Sequence, residues 1–353
     1  VRDFARKLIA WQRRHGRRNL PWQGTRDPYR IWVSEIMLQQ TRLETVIPYY
    51  KRFLARFPDL GTLASAPEEQ ILELWSGLGY YARARHLHRA ARTLVAGQGS
   101  RFPTSTKELQ ALPGIGRSTA GAIAVFAFGA RAAILDGNVR RVLARVFAVE
   151  GEKAQWELAG RLVPARGTRA YAQGLMDLGA TVCTRADPGC ARCPLALGCV
   201  ARREKRIGEL PAPRRRAEVP TRKATWLVLV HRGQVLLEKR PPSGLWGGLW
   251  TFPEAGRTGV ESLGCRIGTR TALPAFEHAF THFRLRVRPV LCRVRGGAAR
   301  AERTGRAWLD VADAIGGAVP APVRSLLQSL ASPRWRTSTF QSVPNALARR
   351  SAR

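Results

Sequence analysis

Apolar residues recur at three- and four-residue spacing through most of the first two hundred positions, and at two-residue spacing beyond about position 224. The first pattern predicts helices over Trp32–Tyr50, Glu68–Leu78, Ala82–Val95, Ser118–Phe128 and Val139–Ala148. An amphipathic segment through Phe4, Leu8, Ile9 and Trp11 precedes them. Phe57-Pro58-Asp59, Gly77-Leu78-Gly79, Gly97-Gln98-Gly99 and Pro113-Gly114 supply the breaks. In the second half, Trp226–Val230 and Val235–Leu237 flank His231-Arg232-Gly233-Gln234, which reads as a hairpin. Leu285, Val287 and Leu291 alternate with Arg284, Arg286, Arg288 and Arg293, predicting a half-buried strand with a basic outer face. A closing helix is expected near Pro322–Leu330.

Between the halves, Arg202–Lys223 carries nine basic residues and three prolines, the composition of an exposed connector. From Ala331 onward there are five arginines and no acid, which predicts disorder. A chain of 353 residues has room for two or three cored domains. No apolar run approaches the length of a membrane span, so a soluble protein is expected. No secretory leader opens the sequence, which starts at Val1 inside an apparent helix, as if a few native residues preceded it. Lys and Arg number 59 against 25 Asp and Glu, a formal charge of +34 that attracts polyanions, nucleic acid foremost.

Six cysteines, four of them clustered, suit a reducing compartment. Cys183, Cys190, Cys193 and Cys199 follow the spacing C-x6-C-x2-C-x5-C, with Pro188, Gly189, Pro194 and Gly198 turning the backbone between them. Four thiolates suit a structural zinc or a [4Fe–4S] cluster. Zinc sites usually pair two short knuckles; here only the middle pair is close, which favours the cluster. Cys265 and Cys292 stand apart, without metal-ligand company.

Leu112-Pro113-Gly114-Ile115-Gly116 joins two helical segments, and its glycines let backbone approach a phosphate or a monovalent cation at the start of the next helix. Alone, this is equally a helix–helix turn. Ile134-Leu135-Asp136-Gly137-Asn138-Val139-Arg140-Arg141 and then the cysteine tetrad follow it. This order and spacing resembles the helix–hairpin–helix DNA glycosylase superfamily with an iron–sulfur loop, over nearly all of the first 200 residues.

The resemblance implies an all-α domain of two helical lobes over 1–208. Residues 28–128 would form a six-helix lobe, and 1–27 with 129–208 the cluster lobe. In the lyase branch of that superfamily a Schiff-base lysine stands where this chain has Ser118, and a hydroxyl cannot form the imine. A monofunctional glycosylase is therefore implied. Ser34-Glu35-Ile36-Met37-Leu38-Gln39-Gln40-Thr41 is similar to the signature of the adenine-specific mismatch glycosylases. On that likeness Glu35 would protonate adenine N7 and Asp136 would stabilise the oxocarbenium-like sugar, with Asn138 orienting Asp136 or the attacking water. The likeness assigns Gln40 and Tyr80, within Leu78–Arg85, to wedging the flipped-out duplex, and Arg18, Trp22 and Gln173 to the adenine pocket. Gln39, Leu112, Gly114, Gly116 and Ser118 complete the implied DNA contacts, and Arg185, Arg192, Arg202 and Arg203 would meet phosphates.

Ser243–Pro253 resembles the opening of a Nudix-like α/β fold, but the glutamates that bind metal in active Nudix hydrolases are missing after Glu254. Phe280-Thr281-His282-Phe283 is similar to the 8-oxoguanine-reading loop of the mismatch glycosylases. The expected architecture adds a basic linker over 209–223, a Nudix-like recognition domain over 224–331, and a disordered tail over 332–353. The implied partner is double-stranded DNA bearing adenine opposite 8-oxoguanine or guanine. A cytoplasmic, nucleoid-associated monomer with no membrane partner is expected. A non-catalytic iron–sulfur DNA-binding protein and a thymine-lesion glycosylase are the alternatives.

Overall fold

A computed structural model describes residues 2–99, 101–212, 219–257, 263–296 and 305–332. The chain divides into two compact units: residues 1–66 with 83–216, and residues 67–82 with 217–353. The expected disordered tail from position 333 lies outside the described residues.

The first unit holds helices α1 (Arg2–His15), α2 (Pro28–Leu38), α3 (Leu43–Arg56) and α4 (Leu60–Ser65). After α5 (Glu68–Trp75), which belongs to the second unit, it continues with α6 (Ala82–Gln98), α7 (Thr106–Gln110), α8 (Arg117–Phe128) and α9 (Gly137–Phe147). α10 (Glu152–Leu162), α11 (Thr168–Thr181) and the short α12 (Val200–Arg203) complete it. α2 starts cleanly because Pro28 sits in its first turn and the Asp27 carboxylate accepts from Tyr29 N–H at 2.9 Å. α8 ends at Gly129, whose φ of 70° lets Gly129 and Ala130 N–H close back on Val125 and Ala124.

Trp32–Tyr50 is two helices, not one. The chain turns through Gln39–Arg42, with Gln40 at φ 56°. The buried Arg83 guanidinium takes the carbonyls that a continuing helix would have used. Its Nη1 donates to Ile36 O at 2.9 Å, Met37 O at 2.8 Å and Gln39 O, and its Nη2 to Thr41 Oγ1 at 3.0 Å.

α8 is rich in alanine and buried over nearly its whole length, so it acts as the spine of the unit. At Gly121 the segment leading to α9 crosses it so closely that a Cβ would stand 2.3 Å from Ala133 O. A second core joins α1, α9, α10 and α11 through Phe4, Leu8, Leu143, Trp156, Tyr171 and Leu175, and Cys183, Cys193 and Cys199 pack against it.

The second unit is built on a mixed seven-stranded sheet. Its strands are β1 (Thr221–His231), β2 (Gln234–Lys239), β3 (Trp250–Thr251), β4 (Arg266–Ala272), β5 (Phe276–Ala279), β6 (Arg284–Gly296) and β7 (Arg306–Asp310). Helices α13 (Val311–Gly316) and α14 (Ala321–Ala331) follow. The order is β3-β2-β1-β6-β4, with β5 also on β6 and β7 on β2; β1 and β6 run parallel at the centre. The expected hairpin is a two-residue turn: His231 pairs Gln234, and Arg232 and Gly233 take φ of 47° and 86°, as a type I′ turn demands. β1 begins inside the stretch expected to be linker.

The breaker-bounded segment Pro67–Ala82 groups with the sheet and not with its sequence neighbours. Lys239 Nζ reaches Glu69 at 3.0 Å, Trp250 Nε1 donates to the same carboxylate, and Ser76 Oγ donates to Val319 O while accepting from Arg324. None of these partners is near in sequence, which is why periodicity could not place the segment.

Candidate active site

Glu35 projects from α2 into a cavity of about 650 Å³ in the first unit. Arg18, Trp22, Asp136, Asn138 and Gln173 line the same cavity, so six residues singled out from the sequence converge there. Gln39, Gln40 and Ser118 do not line it. The backbone reaches the cavity in separate pieces. The turn after α1 brings Arg18 and Trp22, the N-terminus of α9 brings Asp136 and Asn138, and α11 brings Gln173. Trp22 is buried and packs edge-on against Tyr50, ring centroids 5.2 Å apart.

The two carboxyls occupy different electrostatic settings. Burial, and then the charge of Asp136, push the Glu35 pKa up to about 8. Asp136 is also raised, by burial, but hydrogen bonds from the Val139 and Asn138 amides oppose the shift. Asp136 is the N-cap of α9, accepting from Val139 N–H at 2.7 Å. Those amides and the positive end of the helix favour its anion. Where the pair holds one proton, Glu35 keeps it.

Several supporting residues carried no sequence signal of their own. Asp177 of α11 is fully buried and accepts from Arg17 Nε at 2.6 Å, Arg17 N–H at 3.0 Å and Gln173 Nε2 at 2.9 Å. It fixes one wall of the cavity. Arg141 donates to Asn138 Oδ1 at 2.8 Å, Gly179 O at 2.7 Å and Cys183 O at 2.7 Å, tying the start of α9 to the cysteine loop. Arg17 and Asp177 lie in no stretch singled out above, and Arg141 only closes the stretch Ile134–Arg141. Ser118 Oγ accepts from Leu135 N–H at 3.1 Å, so it steadies the residue before Asp136.

The hairpin places Gly114 at φ 79°, with Ile115 N–H closing on Leu112 O at 3.2 Å. Leu112 is buried, while Gly114 and Gly116 are exposed. A Cβ on Gly114 would fall 2.7 Å from His86 Cβ, so the turn needs glycine for space as well as for φ. α8 begins without a side-chain cap, leaving first-turn amides for an anion.

Cys183, Cys190, Cys193 and Cys199 line one small cavity with Val142, Leu178, Arg145 and Arg202. Among the described residues no three His, Cys, Asp or Glu side chains converge to hold a single metal ion. Burial first, and the neighbouring cysteines among the further causes, push Cys193 up to about 11 and also raise Cys199. Arg145 anchors the loop, donating to Thr184 O at 2.6 Å, Arg185 O at 2.9 Å and Cys183 Sγ at 3.5 Å. Such a donor set fits an electron-poor iron or zinc centre that would draw off the thiol protons.

In the second unit, Phe280 N–H donates to Phe283 O at 2.8 Å, closing a tight turn that exposes Thr281 and His282. Phe280 and Phe283 stack at its base with centroids 4.5 Å apart. The exposed Tyr80, at φ 50°, shares a hydrogen bond of 3.0 Å with Thr281 Oγ1. Cys292 is buried and Cys265 half-buried in the sheet core.

A helical unit with a glycine hairpin, a two-carboxyl cavity and a cysteine loop defines a base-excision repair protein. Residues 33–164 match the family described as HhH-GPD superfamily base excision DNA repair protein, and residues 225–329 match the NUDIX domain. The chain is 34% identical over 338 residues to the adenine DNA glycosylase of Buchnera aphidicola subsp. Baizongia pistaciae, covering 93% of this chain and 96% of the relative. It belongs to the adenine DNA glycosylase family. The first half is also similar to the solved structure of a thermostable thymine-DNA glycosylase, at 32% identity and TM-score 0.55, over 57% of this chain and 96% of that one. Endonuclease III in a non-covalent complex with DNA shares the fold, at 21% identity and TM-score 0.51, over 58% of this chain and 95% of that one.

Proposed function

We propose that this protein excises adenine mispaired with 8-oxoguanine or guanine in duplex DNA, as a monomeric, monofunctional glycosylase. The observation that carries the reading is the pair Glu35 and Asp136 lining one cavity, with Glu35 pushed up to about 8 by burial and the Asp136 charge and with Asp136 capping α9. A protonated Glu35 donates to N7 of a flipped-out adenine and makes the base a better leaving group. As the C1′–N9 bond breaks, its electron pair leaves with the base, and the Asp136 carboxylate stabilises the cation at C1′. Asn138, held by Arg141, orients Asp136 or the water that adds to C1′. Arg18, Trp22 and Gln173 enclose the base, and Asp177 keeps Gln173 in place.

The hairpin amides and the first turn of α8 bind backbone phosphate, directly or through a monovalent cation held by the turn. Gln39, bonded through Nε2 to Thr119 Oγ1 at 3.1 Å, and Gln40 form the turn next to α2, from which Gln40 enters the stack. Tyr80, Phe280, Thr281 and His282 read the opposite strand. Cys183, Cys190, Cys193 and Cys199 hold a [4Fe–4S] cluster. All four line one cavity, and their C-x6-C-x2-C-x5-C spacing, with only the middle pair close, favours the cluster over zinc. When bound, the cluster supplies a rigid anionic anchor for the loop that Arg145 and Arg141 grip. No helix among the described residues is long and apolar enough to cross a membrane.

Single-turnover base release tests the reading on duplexes with adenine opposite 8-oxoguanine, guanine or thymine, and on one with thymine glycol. Adenine release opposite 8-oxoguanine and guanine, with strand breaks only after alkali, is the expected result. Thymine-glycol release, or breaks without alkali, would support the thymine-lesion reading that the first half's likeness to a thymine-DNA glycosylase permits. Binding without release of any base would leave a non-catalytic DNA-binding protein.

A further inference from the structure

β6 changes faces along its length. Arg284, Arg286 and Arg288 are exposed while Leu285, Val287 and Leu291 are buried; further on, Cys292 and Val294 are buried and Arg293 and Arg295 exposed. Alternate residues of a strand share a face. Arg293 therefore lies on the face of Leu291, opposite Arg284, Arg286 and Arg288. The single basic outer face expected from the sequence is two separate ones.

The first of these is a built row. Strand register sets Thr221, Lys223 and Thr225 of β1 beside Arg284, Arg286 and Arg288. On the other side, β5 sets Ala279 beside Arg284 and Glu277 beside Arg286. The patch spans three strands and carries four cations against one carboxylate, with successive arginines about 6.8 Å apart along the strand. Among the described residues none of these four cations joins an ion pair, whereas Lys239 and Arg306 of the same sheet each do. Neighbouring like charges repel, so the row raises the energy of the folded protein unless a polyanion covers it.

The opposite face of the same strands leads elsewhere. Phe276 and His278 pair with Val287 and Leu285, and their rings join Trp226, Trp246, Phe280 and Phe283. That aromatic cluster roots the turn bearing Thr281 and His282. The reading turn thus grows from one face of the sheet and the arginine row occupies the other.

We infer that Arg284, Arg286, Arg288 and Lys223 bind the phosphate backbone of a second DNA segment, distinct from the one that holds the target base. A nucleic acid fits better than an acidic protein. The row follows one strand, and the cleft at its Lys223–Arg288 end is lined by Thr225, Glu254, Gly256 and two alanines, with no large apolar side chain to anchor a partner, whereas protein interfaces depend on such anchors. The inference rests on the reading above only in taking DNA as the polyanion.

The test compares the full-length protein with the triple variant R284Q/R286Q/R288Q on labelled undamaged duplex. Loss of the row is expected to flatten the dependence of log affinity on log salt by about 2–3. In the parent, added unlabelled duplex should speed release of the labelled one, by direct transfer between segments; the variant should release at a rate independent of competitor. Adenine release in single turnover should stay unchanged, and the triple Arg→Lys variant should keep the parent's slope. An unchanged slope with retained competitor dependence overturns the inference. Parallel loss of base release would place the row on the target duplex and overturn it too. Loss of poly-L-glutamate binding with an unchanged DNA slope would make the partner an acidic protein. A parent that releases no adenine would defeat the proposed function, while the salt and transfer comparison would still judge the row.

Discussion

Replacing Glu35 with Gln keeps the shape of the side chain and removes its proton equilibrium. In the folded protein burial and Asp136 hold this carboxyl at about 8, against an ordinary 4.5. The folded state therefore binds more protons than the unfolded chain between pH 4.5 and about 8, so stability falls as pH rises through that window and levels off above it. Across the whole window the loss is about 5 kcal/mol, of which about 3 kcal/mol is already present at pH 7. Glu35→Gln escapes that loss. It should melt with the parent near pH 4.5 and above it by about 5–10 °C at pH 7, for a unit of this size. At the same time base release should fall by about 100- to 10,000-fold, the usual worth of a general acid. The parent's own rate should decline as pH passes about 8, where Glu35 gives up its proton. The assay is thermal unfolding of both proteins at several pH values beside single-turnover kinetics. Melting curves that stay parallel from pH 4.5 to 8.5 would refute the raised-pKa account, whatever the loss of activity.

Gly121→Ala should destabilise the helical unit by about 1–3 kcal/mol in chemical denaturation, because the new methyl meets Ala133 O at 2.3 Å and the backbone must part. Asp177→Asn leaves Arg17 without its anion; a loss of about 3 kcal/mol is expected, since Arg17 keeps part of its side chain in water. The same change should weaken base release by letting Gln173 turn. Arg141→Met removes the ties from Asn138 and Gly179 to Cys183 and should lower both iron content and base release, the latter about tenfold. Iron assay and visible absorbance read the first effect independently of catalysis.

Much of this was legible in the residues. Helix periods, the Arg232-Gly233 turn, and the motifs around Glu35, Asp136 and the cysteines are local signals, and each lies on the element its pattern suggested. Six pocket residues came together because they belong to motifs. What stayed hidden depends on long-range pairing. The break after Leu38 needs Arg83, more than forty positions away. Asp177 looked like any helical acid until Arg17, 160 positions earlier, was brought onto it. The face change in β6 follows from which layer covers each end, and alternation alone cannot say that.

The segment Pro67–Ala82 has a consequence for how the protein is made. Ser76 receives its hydrogen bond from Arg324, 248 residues later in the chain. At about 5–20 residues per second, roughly 12–50 s of synthesis separate the two. For that interval α5 has left the ribosome without the sheet whose Lys239 and Trp250 hold its Glu69. A chain stopped at the linker would never supply that sheet. The linker is therefore the wrong place to cut this protein in two: a soluble N-terminal fragment would have to give up or redesign residues 67–82 as well.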